Sequence, residues 1–250
     1  MPSRQQRRAM TDWIHPDWPA PPNVRALVTT RRGGASSGPY SSLNLATHVG
    51  DDPAAVARNR ALLRHELPAE PRWLEQVHGS DVVEGEAVRG APQADAGVAR
   101  IPGVVLAVMT ADCLPVLLTD SAGSVIGIAH AGWRGLVGGV IEATIAAMQV
   151  APRDMLAWLG PAIGPAGFEV GAEVRDAAIA AQAASAQAFV ACRPGKWRAD
   201  IYRLARLRLA HAGVGSVSGG EFCTVQDAER FYSYRRDRVT GRMAALIWLA

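Results

Sequence analysis

The sequence predicts a single α+β domain, and three observations carry that expectation. Residues 104–109 and 114–119 are uninterrupted apolar runs of strand length, as in strands buried on both faces. Segments with helical start and stop signals lie between such runs instead of in a separate half of the chain. Across 250 residues there is no internal repeat, no linker and no break in composition. With 49% of its residues apolar, the chain can bury a sizeable core.

The elements follow in order. Residues 1–23, rich in Pro, Trp and Arg, read as a loose N-terminal arm. Residues 25–30 form a first strand, and Arg31-Arg32-Gly33-Gly34 turns the chain. Asp51-Asp52-Pro53 starts a helix, with proline in the first turn and acids at the positive end of the dipole. That helix runs to about Leu67 and stops at Pro68. Two strands are expected to flank His78-Gly79-Ser80. After the two apolar runs, Asp120-Ser121-Ala122-Gly123 turns into a strand over residues 124–129. Gly132-Trp133-Arg134-Gly135 opens a helix to about Met148, and residues 155–159 make another strand. A rigid double turn over residues 160–165 leads to helices at 172–181 and 201–212. Residues 221–224 look strand-like, and strands at 231–234 and 243–249 close the chain.

The formal net charge is only +3, and Lys196 is the sole lysine. Beyond Arg4, Arg7 and Arg8 the arginines are spread out, so nucleic acid is not an expected partner. No apolar stretch follows those first charges, unlike a secretory signal. No segment approaches the roughly 20 apolar residues of a membrane span. Three cysteines, Cys113, Cys192 and Cys223, give an odd count without disulfide-framework spacing. A cytoplasmic protein without membrane partners is the expectation. Nothing in the helices suggests a self-association seam, so a monomer is expected.

His78, Cys113 and His130 each close an apolar segment, and each precedes a short stretch containing Gly or Pro. Two imidazoles and a thiolate that meet in space hold one Zn²⁺ with a fourth position open, the pattern of a catalytic zinc. Thr110, Asp112 and Pro115 make polar and rigid steps around Cys113 inside an apolar run. Cys192 and Cys223 read instead as small buried hydrophobes. Gly132 and Gly135 after His130 allow close backbone approach, and the helix start offers free N–H groups. Arg134 in that first turn suggests a phosphate or carboxylate pocket beside the metal. Gln76 lies two residues from His78, on the same strand face. His48, within Asn44-Leu45-Ala46-Thr47-His48-Val49-Gly50, is a candidate to line the site. His15, His65 and His211 read as surface.

These pieces together resemble the laccase-domain family, which is known both as multicopper polyphenol oxidase-like and as purine nucleoside phosphorylase. The resemblance rests on residues 44–52, 74–81, Ala94-Asp95-Ala96-Gly97, and residues 110–115, 129–135, 160–164 and 231–242, in that order. It implies a mixed-sheet sandwich with flanking helices, not a cupredoxin barrel, as one catalytic domain over residues 24–250. It implies zinc on His78, Cys113 and His130. It also implies phosphorolysis of adenosine, inosine and S-methyl-5'-thioadenosine to free base and (methylthio)ribose 1-phosphate, together with adenosine deamination. Copper-dependent oxidation of phenols and editing of peptidoglycan precursors are also attached to the family. A four-copper laccase needs about ten histidines, many in His-x-His pairs. This chain has six and no such pair, although copper in place of zinc at the one site suits the donors.

For deamination, Asp112 beside Cys113 would shuttle protons while zinc activates water toward C6 of adenine. Adjacent strand residues face opposite ways, so this needs a kink at Cys113. For phosphorolysis, Arg134, the helix start after Gly132, and Arg31 with its turn are the candidate anion cradle. Asn44 and Gln76 would read base or sugar, the partners being a nucleoside and phosphate. Without a metal, Cys113 with His130 or His78 as base would make a thiol amidase.

Overall fold

A strand buried on both faces needs a covering layer on each side. The computed structural model describes residues 12–250, and the part of the expected arm before residue 12 lies outside the described residues. The described elements are, in chain order, β1 (Val24–Val28), α1 (Pro53–Arg64), β2 (Val82–Glu84), β3 (Ala96–Ala99), β4 (Leu106–Thr110), β5 (Leu114–Asp120) and β6 (Ile126–Ala131). Then come α2 (Trp133–Gly138), α3 (Val140–Met148), β7 (Met155–Leu159), β8 (Glu169–Gly171), α4 (Ala172–Ala181), β9 (Phe189–Arg193) and β10 (Lys196–Ala199). The chain ends with α5 (Ile201–His211), β11 (Ser216–Gly219), α6 (Tyr234–Asp237) and β12 (Met243–Leu249). Within the rest of the arm, Ile14 exchanges two backbone hydrogen bonds with Val28, of 2.9 and 2.8 Å.

One sheet has the order β1-β12-β4 and is antiparallel. A six-stranded mixed sheet has the order β11-β7-β5-β6-β3-β2, parallel only at its two ends. A small antiparallel sheet, β8-β10-β9, lies apart in the pairing. The sheets are open, as expected for a sandwich and unlike a barrel.

Period-two alternation assembles the layers. Along β12, Ala245, Ile247 and Leu249 meet Leu117, Ile126, Ile128 and Trp158 of the larger sheet. Ala244 and Leu246 point the other way, toward Leu63 of α1 and Trp73. On β5, Leu114, Val116 and Leu118 face away from Leu117, toward Ile141 and Ile145 of α3 and Leu204 and Leu209 of α5. The stack is therefore α1, the three-stranded sheet, the six-stranded sheet, then the α2–α5 helices. Each fully buried leucine of β5 contributes about 1.5–3 kcal/mol of transfer free energy. Among the described residues no helix is long and apolar enough to cross a membrane.

Several expected elements differ. The helix expected over 132–148 is two helices, because Gly139 takes φ +86°, a left-handed conformation open to glycine. The strand expected before His78 is reduced to isolated bridges at Arg72 and Glu75. There the Gln76 side chain replaces the ladder, with Nε2 donating to the Met109 carbonyl (2.9 Å) and Oε1 accepting from the Met109 N–H (2.8 Å). Residues 231–234 are not a strand: Ser233 caps α6 by accepting from the Arg236 N–H (3.2 Å). Residues 221–223 are irregular and lead into a turn at 224–226, closed by the Cys223 carbonyl accepting from the Asp227 N–H. Cys192, read as buried, is exposed on β9.

The β5–β6 turn depends on Asp120, which is 4% exposed. Its carboxylate accepts from the Ser124 N–H (2.7 Å), the Ser124 hydroxyl (2.7 Å) and the Val125 N–H (3.1 Å). Burial disfavours its charge, but these hydrogen bonds outweigh it and hold the carboxyl below the usual aspartate range. A lowered folded-state pKa contributes stability above the unfolded value of about 3.9, and that contribution is lost as pH falls through the folded value. Asp120→Ala should cost about 1–3 kcal/mol in urea unfolding at pH 7. The difference from wild type should shrink below about pH 4. An equal difference at pH 3 would contradict this account.

Candidate metal centre

β4 and β5 belong to different sheets, so Ala111-Asp112-Cys113 must carry the chain from one layer to the next. Asp112 makes the bend at φ +92°, and His78 also has a positive φ, +62°. Such conformations cost a non-glycine residue free energy and persist only where surroundings hold them. At Asp112 the surroundings are explicit. Its carbonyl accepts from the Ile163 N–H (2.9 Å), and its carboxylate accepts from the Thr224 hydroxyl and the Arg235 N–H, both at 2.6 Å. The expected kink therefore exists, and the Asp112 side chain is bonded to Thr224 and to the start of α6.

Asp95, just before β3, organises both imidazoles. It is fully buried, and its carboxylate accepts from the backbone N–H groups of Val77 (3.1 Å), His78 (3.0 Å) and Gly79 (2.7 Å). The same carboxylate lies 2.7 Å from His130 Nδ1. That bond places the imidazole proton on Nδ1 and leaves Nε2 as the donor atom. The His130 N–H in turn donates to the Asp95 carbonyl (2.7 Å).

His78, Cys113 and His130 thus converge. Their donor atoms all lie within 4.8 Å of one another, and Cys113 Sγ is 3.7 Å from His78 Nε2. Tetrahedral zinc with ordinary Zn–S and Zn–N lengths spaces sulfur and nitrogen about 3.6 Å apart. The donor set fits one ion. It is buried at His130 and open at His78, as a site that admits a substrate requires. Gly132 makes the approach possible, because a Cβ there would lie 2.9 Å from Cys113 Sγ and 3.1 Å from His78 Cδ2.

Burial opposes charge on both Cys113 and His130, yet each stabilises the other. The charge of His130, with hydrogen bonds from His130 and His78, pulls the thiol well below its ordinary value. Cys113 and Asp95 push His130 above its own. A metal needs the thiolate and a neutral Nε2, so its binding displaces a proton and weakens as pH falls.

The remaining sequence candidates have definite places. Asn44 is fully buried and its amide is occupied. Nδ2 donates to the Ala46 carbonyl and Asp51, and Oδ1 accepts from the Ala46 and Arg242 N–H groups. Gln76 is taken up by Met109, as above. Arg31 donates to the Ser41 and Ala228 carbonyls and stacks on Tyr232. Arg134 is exposed, 4.4 Å from the Trp133 ring. His48 is exposed; burial first, then Arg242 and Arg60, lower its pKa. Asp95 is absent from the sequence candidates. Asp95 had a visible signal, a lone acid in an apolar stretch that must find partners.

A His–Cys–His donor set backed by a buried aspartate, on open stacked sheets, defines an α+β protein built around one candidate metal centre. A family model described as "Multi-copper polyphenol oxidoreductase laccase" matches residues 25–250, and the chain belongs to that family. A Pseudomonas aeruginosa protein named as a purine nucleoside phosphorylase is 56% identical over 241 residues, covering 96% of this chain and 99% of that one. Escherichia coli YfiH, also named as a purine nucleoside phosphorylase, is 52% identical over 244 residues, covering 96% and 100%. A crystal structure of a Neisseria meningitidis protein superposes with TM-score 0.93 at 54% identity, covering 95% of this chain and 99% of that one. YlmD from Geobacillus stearothermophilus gives 0.84 at 33% identity, covering 91% and 92%.

Asp95→Asn should lower metal affinity about 10- to 100-fold, read by competition with a chromophoric chelator. Gly132→Ala should also lose metal, because its new methyl displaces the sulfur itself. Wild-type affinity in either variant would remove that residue from the account.

Proposed function

We propose that the chain is a zinc-dependent purine nucleoside enzyme. Its main reaction is phosphorolysis of adenosine, inosine and S-methyl-5'-thioadenosine, with adenosine deamination as a second activity. One observation carries this reading: a three-donor cluster, open on one side, in a chain 56% identical to a protein named as a purine nucleoside phosphorylase. In phosphorolysis a phosphate oxygen forms a bond to C1' as the C1'–N9 bond breaks. The bonding pair leaves with the purine, which takes up a proton. The products are free base and ribose 1-phosphate. His78, Cys113 and His130 would hold the ion, which would supply Lewis acidity when bound. Asp95 fixes the His130 tautomer, and Gly132 keeps the backbone clear of the donors.

A second reading keeps the residues and drops the metal. The lowered thiol of Cys113 beside His130 suits a nucleophile acting on amides, as in an enzyme editing peptidoglycan precursors. Copper at the same donors with phenol oxidation is a third, because Cu²⁺ generally out-competes Zn²⁺ at N/S ligands.

The test is adenosine with phosphate, products separated by chromatography, before and after stripping with a strong chelator. Adenine should appear from the metal-loaded protein, fall at least about 100-fold on stripping and return with zinc. Inosine would report deamination. Activity that ignores chelation but is lost on thiol alkylation would favour the amidase reading. No base released by zinc-loaded protein would end the phosphorylase reading.

A further inference from the structure

Arg242 lies across the β4–β12 ladder from the link that carries Cys113, with unspent hydrogen-bonding capacity. The ladder pairs Met243 with Thr110, which places Arg242 opposite the Ala111-Asp112-Cys113 link. Its backbone is fixed, the N–H donating to Asn44 Oδ1 (2.9 Å) and the carbonyl accepting from Leu45 N–H (3.4 Å). In the side chain only Nη1 is engaged, by the Thr240 and Gly241 carbonyls, each at 3.0 Å. Among the described residues it takes part in no ion pair, although the residue is largely buried. Burial lowers its pKa, and Cys113 and then Asp112 lead the neighbours that favour its charge. The same loop gathers further basic groups. Arg60 Nε donates to the Leu45 carbonyl (2.9 Å), and His48 lies within the field of both arginines. Arg31 is held by the Ser41 and Ala228 carbonyls and Arg134 rests on an indole, so neither matches this open fork.

A desolvated guanidinium with donors to spare and no counter-carboxylate is matched to a tetrahedral oxyanion. We infer that Arg242 anchors inorganic phosphate beside the metal centre through Nε and Nη2, with His48 on the same rim. The assignment to a phosphate co-substrate rests on the phosphorolytic reading above. It makes Arg242 a binding residue for the attacking oxyanion.

The test uses the zinc-loaded full chain in calorimetric titrations with inorganic phosphate and, separately, adenosine 5'-monophosphate. Wild type should bind phosphate. Arg242→Gln should weaken it roughly 10- to 100-fold, with metal content unchanged. Arg242→Lys, which keeps the charge but not the fork, should fall between. Arg153→Gln, which removes a side chain 84% exposed, should match wild type. In turnover, KM for phosphate should rise in Arg242→Gln while KM for the nucleoside holds. Equal phosphate binding by wild type and Arg242→Gln overturns the inference, as does no phosphate binding by wild type. Tighter Arg242-dependent binding of the monophosphate overturns it as well, because the anchor would then serve a nucleotide's own phosphate. Arg242-dependent phosphate binding without base release would keep the anchor and end the phosphorylase reading instead.

Discussion

The Asp95 carboxylate is the interaction on which the rest of the site depends. A lone buried carboxylate is strongly disfavoured, and such a group persists only when paired and hydrogen-bonded. Here three consecutive backbone N–H groups and one imidazole meet that demand. Burial opposes its charge, but His130 and the Gly79 N–H more than compensate and hold Asp95 below the usual range. The same bonds hold the 77–79 turn against β3 and β6. Bending the backbone around one carboxylate explains why His78 adopts a positive φ that an imidazole residue rarely takes. Folding and site construction are thus one event, since Asp95 cannot be buried without bringing His78 and His130 together.

Cys113 has a different support. It lies where the chain leaves one sheet for the next, a place no ladder can hold. Asp112 takes over by binding Thr224, Ile163 and Arg235 through its side chain and carbonyl. An acid beside a candidate metal-ligating cysteine invites a proton-shuttle reading from sequence. In the fold its charge faces the positive end of a short helix, and its first effect is to fix the sulfur's position. Arg242 reaches the same corner from β12, so the site draws on both sheets and gains its precision from their packing.

What the sequence disclosed and what it hid follow one physical division. Strand runs such as 114–119 and 155–159 were legible because burial on both faces leaves a continuous apolar signature. The Asp52–Pro53 start was legible because a cap is local chemistry, the Asp52 carboxylate accepting from the Ala54 N–H. The three donors could be read as strand-end residues of metal-ligating type, although His130 lies inside β6 and Cys113 between strands. Hidden were features set by long-range partners. Gln76 replaces a strand with its amide, Ser233 captures a segment whose aromatics suggested a strand, and β3 is built from small residues of weak strand preference. Arg242 belongs here too, since its role comes from a register two hundred residues away in sequence from the Asn44 loop.

The family's description as a multicopper oxidase and the naming of its relatives as nucleoside phosphorylases pull in different directions, and the donors bear on one point, the number of coppers. Outside the cluster, His15, His48, His65 and His211 are exposed, and the described donors bring together only one group of three. One such group cannot assemble the trinuclear copper site of a four-copper oxidase. Charge gives a second argument. With a divalent ion in place, the Cys113 thiolate and Asp95 balance it, while Asp112 balances Arg242 in sign but directs its carboxylate to Thr224 and α6. On the proposed phosphorolytic reading, a centre that is neutral overall, with the Arg242 guanidinium across the ladder from Cys113, would suit a neutral nucleoside paired with a small oxyanion.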